Sequence, residues 1–75
     1  MQIKIINRLD EKLTEYQSKT GATKTWIAKQ LGMSTSRLYQ ICQADNMMLD
    51  VAMRFAIFLK CDVMDLFNYE IINDI

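Results

Sequence analysis

Residues 23–44, TKTWIAKQLGMSTSRLYQICQA, decide the fold of this 75-residue chain. Ile27, Ala28 and Leu31 recur at i, i+1 and i+4, which predicts a helix over 24–31 with one apolar stripe. Thr23 stands where an N-cap hydroxyl is needed, and Gly32 where a helix ends cheaply in a left-handed conformation. Ser34 then caps a second predicted helix over 35–43. Helix, short glycine-containing turn, helix: this is the pattern of a helix-turn-helix, with 35–43 as recognition helix.

On a helical wheel of about 100° per residue, Thr35, Tyr39, Gln43, Ser36 and Gln40 share an arc of roughly 140°. Leu38, Ile41 and Cys42 fill the opposite side, with Arg37 on the flank. The polar arc offers hydroxyls, amides and a phenol and no carboxylate, which suits base edges and phosphates. Taken alone, such a face fits a solvated helix surface equally well. The cap–turn–cap arrangement before it favours DNA.

The stretch GATKTWIAKQLGMSTSRLYQICQ resembles the Cro and lambda-repressor type of helix-turn-helix, also called the xenobiotic-response-element type. Thr23, Lys24, Ile27-Ala28, Leu31-Gly32, Met33-Ser34 and Leu38 fall in register with that family's pattern, and LDVAMRFAIFLKCDVMDLF is similar to its last two helices. The resemblance covers about residues 9 to 67. It implies an all-α, five-helix lambda-repressor-like domain filling residues 1–75, with its helix-turn-helix core at 23–43. It also implies Thr35, Ser36 and Gln40 as base-reading residues, with Tyr39, unusually large for its position, expected to join them at a thymine methyl or else to lie along the backbone, and Lys24, Thr25, Ser34, Arg37 and Gln43 as phosphate contacts. The family often pairs an Arg on helix one with a Glu on the recognition helix. Here those positions are Gln17 and Cys42, so both charges are absent together and neither is left unpaired.

Composition narrows the class. No proline and only two glycines, Gly21 and Gly32, suit a helical chain, and 51% hydrophobic residues suffice for a small core. No apolar run reaches bilayer-spanning length and no signal peptide opens the chain, so a cytoplasmic location is expected. Cys42 and Cys61 sit in apolar patterns as expected for buried reduced thiols. With no histidine, a metal site lacks ligands, and no cofactor or small-molecule ligand is expected. Net charge is zero, but residues 1–40 hold seven basic groups against three acidic, and 41–75 hold two against six. A chain so divided can meet DNA with one end.

Outside the core motif, Ile6, Leu9, Leu13 and Tyr16 predict a helix over 7–19, with Asn7 as cap and Asp10 and Glu11 in the first turn. Residues 1–6, MQIKII, fit a strand or an extended arm as well as a helical start. Trp26 is expected either half-packed on helix one or facing a partner or the DNA backbone. In the loop 43–49, Asn46 is a candidate for a left-handed turn. Further helices are predicted over 49–59 and 63–67, the second capped by Asp62, with Met53 and Met64 in the core. The tail, 68–75, is too apolar for a free end. It is expected either to fold back on its own core or to bury against a second copy through Phe67, Tyr69, Ile71, Ile72 and Ile75, with a strand over 69–72 as one form.

The function expected is a sequence-specific, double-stranded-DNA-binding transcriptional regulator. It would be a small homodimeric repressor occupying an operator through the major groove, of a size that suits a phage or mobile element. The alternative is a protein-interaction module of the same fold, an antitoxin or anti-repressor type of partner, which neutral charge and Trp26 favour. An enzyme is not expected: there is no histidine, no basic partner beside either cysteine, and no glycine-rich phosphate loop.

Overall fold

The computed structural model describes residues 1–73. Its elements run β1 (Gln2–Asn7), α1 (Leu9–Thr20), α2 (Lys24–Gln30), α3 (Thr35–Gln43), α4 (Leu49–Leu59), α5 (Val63–Leu66) and β2 (Phe67–Asn73). Three helices, α2, α3 and α5, start where the short polar residues predict. The Thr23 hydroxyl accepts from the Trp26 amide at 3.1 Å, and the Ser34 hydroxyl from the Arg37 amide at 3.1 Å. Asp62 caps α5 in a reciprocal capping box with Asp65. Gly21 and Gly32 both adopt positive φ, 76° and 72°, the conformation that lets a chain leave a helix without a Cβ clash.

The all-α expectation is corrected by a two-stranded antiparallel sheet. β1 pairs with β2 in the register Ile3 to Ile71, Lys4 to Glu70, Ile5 to Tyr69 and Asn7 to Phe67, with an irregularity between Gln2 and Ile3. Both strands are rich in β-branched and aromatic residues, which favour a pleated surface. The tail thus takes the strand form expected over 69–72, lengthened to 67–73, and closes on the N-terminus instead of folding back onto the helical core. Ile3 and Ile5 lie opposite Ile71 and Tyr69 on one face of this ribbon. Ile3, Ile5, Tyr69, Ile71 and Ile72 stay exposed, from Ile5 at 37% to Ile72 at 61%, while Ile6 and Phe67 are half-buried. Ile75 lies outside the described residues.

One core joins all five helices. Leu9 and Leu13 of α1, Ile27 and Ala28 of α2, Leu38, Ile41 and Cys42 of α3, Phe55 and Ala56 of α4, and Leu66 of α5 are buried together. Val63, Leu59 and Phe67 pack on its rim. Met53 and Met64 do not belong to it, being 47% and 48% exposed. The buried line of α4 runs through Ala52, Phe55 and Ala56, and Met53 falls on the neighbouring line with exposed Leu49 and Ile57. Both cysteines are free thiols, Cys42 buried and Cys61 half-buried.

Two further expectations shift. α1 begins at Leu9, two residues later than predicted, because Asn7 ends β1. Asn7 still serves the helix, its Oδ1 accepting from the Leu9 amide at 2.9 Å. The left-handed residue is not Asn46 but Lys60, at φ 56°, which terminates α4. Ala44 leaves α3 in an extended conformation instead. No left-handed turn is required there, since the Asn7 amide Nδ2 donates to the carbonyls of Ile41 and Ala44, each at 2.9 Å. Carbonyls at a helix end need partners, and a side chain 34 residues or more away supplies them.

Candidate nucleic-acid interface

α2 and α3 pack through Ile27, Ala28, Leu38 and Ile41, all buried. Burial of that stripe turns the opposite face of α3 outward. Ser36, Arg37, Tyr39, Gln40 and Gln43 are exposed, and Thr35 is half-buried. The expected base-reading set thus shares one surface, with Thr35 at its inner edge. The Thr35 hydroxyl lies 3.4 Å from that of Thr25, joining the starts of α2 and α3. Ser34 is exposed too, although its hydroxyl is already occupied as a cap.

Lys24 behaves differently from the other expected phosphate contacts. Its Nζ donates to Gln17 Oε1 at 2.9 Å, lies 4.0 Å from Asp10 Oδ1, and sits 5.8 Å from the centre of the Tyr39 ring. Only 17% of its side chain is exposed. The junction that the resemblance would fill with an Arg–Glu pair is occupied here by Gln17, Cys42 and the nearby Lys24. Burial pushes the Cys42 thiol above its ordinary value, the Asp10 carboxylate adds to that, and Lys24 opposes it.

Trp26 is 46% exposed and tilts against Phe58 of α4 with ring centres 6.2 Å apart, while Phe58 meets Tyr16 of α1 at 5.1 Å. The ring contact of the tryptophan is thus with α4, and Phe58 links it to Tyr16 of helix one. Trp26 borders an open cavity of about 400 Å³ with Tyr16, Thr20, Gly21, Ala22 and Thr23. Two contributors escaped sequence reasoning. Asn7, which holds the C-terminal end of α3, carries no motif, and its partners are set by the fold. The Lys24–Tyr39 contact joins residues 15 positions apart on different helices, so no periodicity signals it.

A cap–turn–cap pair of helices on one core, with a polar face turned to solvent, defines a helix-turn-helix DNA-binding domain. The chain belongs to the Cro/C1-type HTH DNA-binding domain family, whose model matches residues 12–71. Comparisons with curated proteins and with solved structures find no match. Among the described residues, no group of His, Cys, Asp or Glu could hold a metal ion, and no helix is long and apolar enough to cross a membrane.

Proposed function

We propose that this chain is a small cytoplasmic repressor that binds a pseudo-palindromic operator as a homodimer and acts by excluding polymerase. The observation that carries the reading is the outward face of α3, where Ser36, Tyr39, Gln40 and Gln43 are exposed and no carboxylate interrupts them. Thr35, Ser36, Tyr39 and Gln40 read base edges in the major groove, Gln40 by a bidentate contact to adenine. Thr25, Ser34, Arg37 and Gln43 meet the flanking phosphates, which fix register and carry no sequence information.

The second subunit docks on the ribbon. Its support is the row of Ile3, Ile5, Tyr69 and Ile71, with Ile72 nearby, on a two-stranded sheet that is marginal when isolated. Pairing there sets two recognition helices about 34 Å apart, one turn of duplex. The alternative, a protein-interaction module of the same fold, draws support from net charge zero and from the exposed line of Leu49, Met53 and Ile57 on α4. Selection of bound sequences from a random duplex pool separates the two. A repressor enriches a site with two related halves; a pool that stays random through all rounds would leave only the interaction module.

A further inference from the structure

We propose that Lys24 sets the pose of Tyr39, and through it the base pair which that ring reads, instead of gripping a phosphate. The inference rests on the reading of α3 as the base-reading helix. Lys24 is the first residue of α2, yet its ammonium is held by α1 and lies beside α3. Gln17 is a fixed acceptor for it: Gln17 Nε2 donates to the Ala22 carbonyl at 3.1 Å, so flipping the amide would break both bonds. Asp10 at 4.0 Å adds an opposite charge. Held so, the ammonium sits within cation–π range of the Tyr39 ring.

Reaching a phosphate would require Lys24 to leave these partners and uncover a stem that is now mostly shielded. Staying keeps these contacts and orients the largest side chain on the reading face. Tyr39 is half exposed, so without this support its ring is free to choose among rotamers. A base contact made by a mobile ring discriminates poorly, because ordering it on binding consumes part of the interaction.

The test uses the full chain and its selected duplex, with Lys24→Met, Lys24→Arg, Tyr39→Ala and the double variant Lys24→Met/Tyr39→Ala. Lys24→Met should lower affinity for the selected duplex about three- to tenfold, the range of a partly shielded cation–π contact. Affinity for random duplex should change less than about twofold, and the salt dependence should keep its slope; a lost phosphate contact would reduce the slope by about 0.9. Lys24→Arg, whose guanidinium also covers an aromatic face, should retain the wild-type preference. In the double variant, removing Lys24 should have no effect beyond that of Tyr39→Ala. In the free protein, the Lys24 ε-methylene protons should be shifted upfield by the ring and lose that shift in Tyr39→Ala, a readout independent of DNA and of stability.

A reduced salt slope with equal loss on every duplex overturns the inference, as do additive losses in the double variant. If Tyr39→Ala changes the selected sequence while Lys24→Met does not, the inference fails alone. If Tyr39→Ala leaves the selected sequence unchanged, the reading of Tyr39 as a base contact fails and the inference with it.

Discussion

Replacing Asn7 by alanine should be among the costliest single changes outside the apolar core. The Asn7 side chain donates to the Ile41 and Ala44 carbonyls at 2.9 Å, lies 3.5 Å from that of Cys42, and accepts from the Leu9 amide at 2.9 Å. Its two amide hydrogens make two good bonds, so three interactions are lost. At about 1 kcal/mol net for each, Asn7→Ala costs about 2–3 kcal/mol, the half-buried site letting water recover part of the desolvation. A chain of this size has roughly 4–11 kcal/mol of stability in total. The melting temperature should therefore drop by about 10–20 °C. Thermal denaturation followed by circular dichroism measures it, and hydrogen exchange should show early opening of β1 against α3. Asn7→Asp sharpens the test. The introduced carboxylate keeps an acceptor for the Leu9 amide but turns an oxygen towards carbonyls at the negative end of α3. Its charged form is disfavoured in the folded state, so its folded pKa lies above the unfolded value of about 3.9. The folded state then binds more protons, and stability increases as pH falls through the folded pKa and is lost as pH rises. A drop below about 3 °C for Asn7→Ala, or an Asn7→Asp variant insensitive to pH, would refute the idea that this amide holds the recognition helix.

Outcomes are expected at five further residues. Gln40→Ala should relax preference at one base position, costing about 1–3 kcal/mol there; Arg37→Ala should weaken binding to all duplexes and flatten the salt slope by about 0.9, both read in titrations at several salt concentrations. Ile71→Asp, placing a charge opposite Ile3, should convert dimers to monomers in sedimentation equilibrium, and an unchanged mass would remove the ribbon as the dimer contact. Lys60→Gly should raise stability by about 1 kcal/mol in denaturant titrations, because a left-handed residue with a Cβ is strained. Burial raises the Cys42 thiol from its ordinary 9.0, so alkylation at neutral pH should be slower than in the unfolded chain. The stability this thiol contributes should be intact below its ordinary value and be lost as pH climbs towards the folded one.

The helix-turn-helix was written locally, which is why it could be read before the structure. Caps such as Thr23, Ser34 and Asp62 act over two or three residues, and the apolar lines of α2 and α3 repeat within a turn or two. The polar face of α3 follows from the same periodicity, and its exposure in the structure adds only that Thr35 sits deeper than its neighbours. On α4 periodicity was insufficient: Met53 and Phe55 are both apolar, and only the position of the other helices decides which one the core takes. The β1–β2 pairing lies further beyond local reading. It joins the two ends of the chain, and every alternating apolar segment is compatible with many partners until the helices between have folded and brought those ends together. The same holds for the amide of Asn7 and the ammonium of Lys24. Residue type and neighbours in sequence say that each is polar and able to donate; the helix end or the ring that receives it is brought within reach only by the packed fold.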